Sequence, residues 1–253
     1  MELRTSRTLL HYVEHGAGRP VLVLHGAGVD HREAEGCIEP AFAGADRFRR
    51  IYPDLPGMGR TAADGLDSAE DVVAVLCEFA DRVAGGEPCL IVAHSAGAHF
   101  ALGMAARRPA AVVGLALICP LLPNVRDVPQ HRIIVGSGEL GDETFRDYFV
   151  VQTPEMLERY ERLVVPGMQL ADEEAMERIG ERWELALEVP FEGPALILVG
   201  RLDATVGYAA ALDLAHRWSR ATVVVSDGAG HALPHEKPEL LRVLLQDWLK
   251  RCE

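Results

Sequence analysis

The run Ala93-His94-Ser95-Ala96-Gly97 follows an apolar stretch and leads into one rich in alanine and glycine. Small residues on both sides of a serine suit a tight strand-to-helix turn. Such a turn holds the hydroxyl out above the sheet edge, and the backbone N–H of Ala96 then faces the place where an oxyanion would form. A serine hydroxyl is a weak nucleophile, so this chemistry demands a base and an acid that orients the base. Both residue types follow in the order that such a site uses, acid and then histidine. Gly200-Arg201-Leu202-Asp203 comes after the apolar run 195–199, and Asp227-Gly228-Ala229-Gly230-His231 after the run 221–225. Both lie just past the carboxyl ends of expected strands, where an open α/β sheet places its ligand site. A fourth element, His25-Gly26-Ala27-Gly28, follows the run 21–24. A small-residue loop there offers a second backbone N–H to the oxyanion, that of Ala27. His25 itself reads as a structural hydrogen-bonder.

Other residues compete for these roles. Asp127 is an alternative acid, His235 an alternative base four residues past His231, and His216 a surface or packing residue beside Trp218. Glycine turns and solvent serines are common without catalysis. What favours the chemical reading is three residue types, in order, each at a strand exit. The segment Gly136-Ser137-Gly138-Glu139-Leu140-Gly141 fits G-x-G-x-x-G after Ile133-Ile134-Val135. The pattern downstream is helical, however, and lacks the strand that a dinucleotide-binding βαβ unit needs, so a flexible loop is expected. No H-E-x-x-H occurs, and His231 and His235 have no third ligand at metal-binding spacing, so no metal and no cofactor are expected.

Short β-branched runs alternate with longer helical patterns, which predicts an α/β fold: a mostly parallel sheet with helices on both faces. Strands are expected at 21–24, 50–53, 89–93, 112–119, 195–199 and 221–225. The stretch 8–14 precedes a hairpin-like turn, His15-Gly16-Ala17-Gly18. Ser68 caps a helix running through Val72, Val75, Leu76 and Phe79 until Gly85-Gly86, and a last helix covers 238–250. The interval 121–190 breaks the rhythm. Its clearest helices start at the caps Thr153 and Asp172, and it holds 15 acidic and 7 basic residues. It reads as a helical insertion across the top of a core built from residues 1–120 and 191–253.

With 253 residues the chain can form one large α/β domain or two small ones and bury roughly 70–75% of its unfolded surface. A net charge of −13 argues against nucleic-acid binding or a polybasic membrane surface. Five cysteines without a C-x-x-C pair exclude a disulfide framework. No apolar run is long enough for a membrane span or a signal peptide, so a soluble, reduced, cytoplasmic protein is expected. Oligomeric state is not legible.

Taken together, His25-Gly26-Ala27-Gly28, Asp54-Leu55-Pro56-Gly57-Met58-Gly59, Ala93-His94-Ser95-Ala96-Gly97, Gly200-Arg201-Leu202-Asp203 and Gly230-His231 make the chain resemble the α/β-hydrolase superfamily, in its single-domain branch with a helical cap. The resemblance implies Ser95 as nucleophile, Asp203 as orienting acid, His231 as base, and the Ala27 and Ala96 amides as oxyanion hole. Ala93 departs from the glycine most common there, though alanine is still small. A serine at 95 separates the chain from the epoxide hydrolases and haloalkane dehalogenases, which use an aspartate. The expected activity is hydrolysis of a carboxylic ester of a small, largely apolar substrate. The alternatives are a carbon–carbon bond hydrolase, a lyase or perhydrolase on the same triad, and a non-catalytic small-molecule receptor or scaffold. Met156, Tyr160, Met168 and Trp183 are the candidates for the pocket lining.

Overall fold

The computed structural model describes residues 1–187 and 190–253. Its apolar runs form one eight-stranded sheet in the order β1-β2-β4-β3-β5-β6-β7-β8. The strands are β1 (Glu2–Arg4), β2 (Leu9–Gly16), β3 (Arg19–Leu24), β4 (Phe48–Pro53), β5 (Cys89–His94), β6 (Val112–Ile118), β7 (Ala195–Gly200) and β8 (Ala221–Ser226). From β4 to β8 all pairings are parallel, whereas β2 runs antiparallel to both β1 and β4. The turn at 15–18 therefore reverses the chain without closing a hairpin. β4 pairs between β2 and β3, placing Glu14 opposite Ile51 and Leu22 beside the same residue. β3 is buried, so the backbone N–H and C=O groups along both its edges need partners, and β4 and β5 supply them.

Among the described residues there are ten α-helices: α1 (His31–Ile38), α2 (Ala69–Val83), α3 (Ala96–Arg107), α4 (Glu143–Tyr148), α5 (Pro154–Leu163), α6 (Val165–Met168), α7 (Glu173–Gly180), α8 (Ala209–Arg217), α9 (Leu233–Glu236) and α10 (Pro238–Arg251). Alternate residues of each strand enter opposite cores. Ile91 and Ala93 face α2, α3 and α8, while Leu90 and Val92 face α1 and α10. A sheet buried on both faces explains why β5 and β7 read as unbroken apolar runs.

The connection from β6 to β7 carries α4–α7 and a small core of its own around Phe145, Phe149 and Tyr160. Each longer helix begins on a side-chain cap: Asp142 accepts from Phe145 N at 2.8 Å, Thr153 from Met156 N at 3.3 Å, and Asp172 from Ala175 N at 3.0 Å. Residues 188–189, near the C-terminal bound of the expected insertion, lie outside the described residues. At 133–135 there is no strand, only a single bridge from Val135 to Val151, so the glycine-rich run after it has no βαβ frame. No described helix is long and apolar enough to cross a membrane.

Candidate active site

Ser95 sits between β5 and α3 with φ 52° and ψ −118°, a backbone conformation that residues with a side chain rarely adopt. The turn is fixed from both sides: Ser95 N donates to Ile118 O at 3.0 Å, and Ser95 O accepts from Leu121 N at 3.2 Å. Gly97 lets α3 press onto β3, since a Cβ there would lie 2.4 Å from His25 O. Leaving the next strand but one, Asp203 is fully buried and its Oδ1 accepts the amides of Thr205 and Val206, each at 2.9 Å.

His231 closes the arrangement. Its Nδ1 lies 2.7 Å from Asp203 Oδ2 and its Nε2 2.8 Å from Ser95 Oγ. A carboxylate can only accept, so Nδ1 carries the proton and Nε2 is left to accept from the serine hydroxyl. Burial would push the Asp203 carboxyl up, but the His231 bond, the His231 charge and the two amides hold it below the usual range. Gly200 allows β7 to approach the histidine turn, because a Cβ would meet Gly230 O at 2.4 Å.

The amides of Ala27 and Ala96 flank this serine. Ala96 opens α3, where the first N–H groups have no partner within the helix, and neither amide donates to an acceptor among the described residues. His25 is fully buried and bonds on both ring nitrogens. Nδ1–H donates to Gly26 O at 2.7 Å, while Nε2 accepts from Leu55 N at 2.9 Å. It thus pins the loop of Ala27 to the exit of β4. His94 is buried and neutral, its pKa lowered to about 4 chiefly by burial, and its Nε2–H donates to His231 O at 3.2 Å.

Ser95 and His231 open into a cavity of about 270 Å³, roofed by Tyr148, Tyr160, Val164 and Met168 from the β6–β7 connection. Of the four pocket residues read from the sequence, Tyr160 and Met168 line this cavity. Met156 and Trp183 do not. Met156 packs into the small core of Phe145 and Phe149, and Trp183 stacks on His99 of α3 with ring centroids 4.6 Å apart, against the core that holds α2 and α3. An aromatic or thioether at helical spacing marks a packed face, and the sequence cannot tell which core it packs into. The rival residues are elsewhere: Asp127 is exposed and paired with Arg126, and His216 is exposed on α8. His235 is fully buried and faces Glu33.

The sequence profile described as Alpha/beta hydrolase family matches residues 21–242. The chain belongs to that family. Among curated relatives, it is 24% identical over 260 residues to the (E)-2-((N-methylformamido)methylene)succinate hydrolase of Acinetobacter baylyi, covering 99% of this chain and 97% of that protein. It is 28% identical over 254 residues to the biotin biosynthesis bifunctional protein of Cellvibrio japonicus, covering 91% of this chain but only 47% of that protein, about half its length. An alpha/beta superfamily hydrolase from Oenococcus oeni superimposes with a TM-score of 0.91 at 24% identity, covering 100% of this chain and 99% of the other.

Three polar residues around this site are not legible in the sequence. Glu33 and Tyr148 both line the cavity, and Glu236 supports the histidine turn. Glu33 lies on an acidic helix start that reads as solvent-facing. Tyr148 and Glu236 carry no local pattern that separates them from ordinary helix residues.

Proposed function

We propose that the protein is a serine hydrolase that cleaves a carboxylic ester of a small substrate through an acyl-enzyme. The observation that carries this reading is the unbroken hydrogen-bonded line Asp203–His231–Ser95, at 2.7 and 2.8 Å, opening into a mainly apolar cavity. Ser95 Oγ attacks the carbonyl carbon as His231 Nε2 takes its proton, and the resulting oxyanion is held by the Ala27 and Ala96 amides. As the tetrahedral species collapses, His231 returns that proton to the departing alkoxide. Water then repeats the sequence on the acyl-serine and frees the acid. Asp203 keeps the imidazole in the productive tautomer and stabilises its charged form. Residues 121–190 act as a cap over the bound ester. Five free cysteines, all buried, favour a reducing, cytoplasmic setting.

A dianionic substrate such as the one in the name of the Acinetobacter relative is less well supported, because no arginine or lysine lines the cavity among the described residues. The deciding experiment is labelling with a fluorophosphonate followed by peptide mapping. An adduct on Ser95, together with a kcat loss on the order of 10⁵–10⁶ for Ser95→Ala on a short-chain ester, is the expected result. Labelling at another serine, or no labelling in a folded protein, overturns the reading and favours a receptor.

A further inference from the structure

Glu33 is an unusual wall for an apolar cavity. It occupies the third position of α1, is 3% exposed, and borders the same space as Ser95 and His231. Its Oε1 accepts from His235 Nε2 at 3.1 Å, whereas Oε2 has no partner among the described residues. His235 is itself fully buried, with Cys37 Sγ 3.7 Å from its ring nitrogens. Burial alone would push the Glu33 carboxyl up, yet the bond from His235 and the nearby His94 and His25 rings hold it at about 2. The cavity wall therefore carries an ionised carboxylate that His235 balances in charge but whose second oxygen is left to accept. That oxygen opens onto a mainly apolar space, where a hydrogen bond to it is worth more than in water.

Tyr148 supplies the complementary group. It lines the same cavity with its ring nearly perpendicular to that of His231, centroids 5.7 Å apart, and its hydroxyl has no partner among the described residues. Burial first and the charge of Glu33 second push its phenol well above the usual value, which keeps it a donor. The other phenol at the cavity is already engaged: Tyr160 OH donates to the Asp142 carboxylate at 3.0 Å.

We infer that the substrate carries a hydroxyl group besides its ester, and that this hydroxyl donates to Glu33 Oε2 and accepts from the Tyr148 phenol. A hydroxyl is a small neutral group that does both from a single atom. An ammonium would meet a carboxylate that His235 has already paired, and a second carboxylate has no hydrogen to donate to Oε2. The inference rests on the serine-hydrolase reading.

Two matched substrate pairs test it, one for each half of an ester: methyl 3-hydroxybutyrate against methyl butyrate, and 2-hydroxyethyl butyrate against propyl butyrate. The wild-type protein is expected to favour the hydroxylated member of one pair by about 10- to 100-fold in kcat/KM, the range for a hydrogen bond to a charged group. Glu33→Gln and Tyr148→Phe are each expected to pull that ratio toward one, by slowing the hydroxylated ester more than the plain one. Equal kcat/KM within both pairs for the wild type, with Ser95 still turning over all four esters, overturns the inference and leaves the hydrolase reading intact. Should Glu33→Gln fail to fold, the wild-type ratio and Tyr148→Phe decide the matter. Absence of turnover on every ester, with no fluorophosphonate adduct on Ser95, removes both readings together.

Discussion

Glu236 Oε2 accepts the backbone N–H of Gly230 at 2.7 Å, one residue before His231. Its Oε1 accepts the amides of Val150 and Val151, at 2.7 and 3.2 Å, from the connection that roofs the cavity. One buried side chain thus ties the histidine turn to the helices above it, with three backbone donors on a single carboxylate. Burial pushes this carboxyl up, against the amides that favour its charged form. Glu236→Ala is expected to leave all three donors unpaired and to cost about 2–5 kcal/mol in urea unfolding. Glu236→Gln can keep the bonds from 150 and 151 but turns an NH₂ against Gly230. Its kcat should therefore fall by more than its loss of stability explains, and a kcat equal to wild type would show that the turn holds His231 without this tie.

The tautomer argument makes a second prediction. In Asp203→Asn, the amide NH₂ faces His231 Nδ1, and the imidazole is expected to carry its proton on Nε2, where it can no longer accept from Ser95. The expected loss of kcat is on the order of 10⁴, with the melting temperature little changed. A rate within about tenfold of wild type would mean that Asp203 does no more than fill space, since an orienting acid is worth far more.

The sequence carried the parallel sheet because its buried strands are short apolar runs with turn residues at both ends, as in 89–94 and 195–200. It also carried the positions of Ser95, Asp203 and His231, since each follows such a run. The neighbour order at the sheet's N-terminal edge was not legible. β2 and β3 are joined by a tight glycine turn, and nothing local reveals that β4, about 30 residues on, pairs between them. Burial of charge was equally hidden. Glu33 lies within the run Arg32-Glu33-Ala34-Glu35, which looks solvated, and only its partner His235, 202 residues away, makes it a core residue.

Buried ionisable groups give a pH profile whose sign can be worked out. Glu33 has a folded value of about 2, below its usual 4.5, so its contribution is full above 4.5 and is lost as pH falls toward 2. His94, lowered to about 4, must be charged on unfolding below 6.5, so it also weakens the fold as pH falls from 6.5 to 4. His235 is raised: burial works against it, but Cys37 and Glu33 win, so its contribution is full below 6.5 and fades as pH rises toward about 10. The melting temperature is thus expected to fall on both sides of a maximum near pH 6.5. In His235→Gln the alkaline decline should flatten. An unchanged alkaline limb in that variant would show that His235 is neutral in the folded protein.

Charge at the cavity makes the last prediction. The residues 121–190 hold 15 acids against 7 basic residues, and their helices roof Ser95. Many of these acids, such as Glu173 and Glu174 on α7, are simply the solvated face of an amphipathic helix. Inside the cavity nothing offsets that field: the ionised Glu33 is balanced by His235, and no arginine or lysine contributes to the lining among the described residues. Arg201, the basic residue nearest Asp203 in sequence, is exposed and stacks on the Tyr208 ring, 5.2 Å from its centroid. A field of one sign around a cleft repels ligands of that sign, and added salt weakens the repulsion. Neutral esters are therefore expected to be turned over faster than esters of the same size that carry a carboxylate. The rate on the carboxylated ester should rise as ionic strength goes from about 0.01 to 0.5 M, where the Debye length falls well below about 10 Å. The neutral partner should respond little. A preference for the carboxylated member, or a rate on it that drops with salt, would require a cation to reach the bound ester and would show that the acidic surroundings do not govern entry.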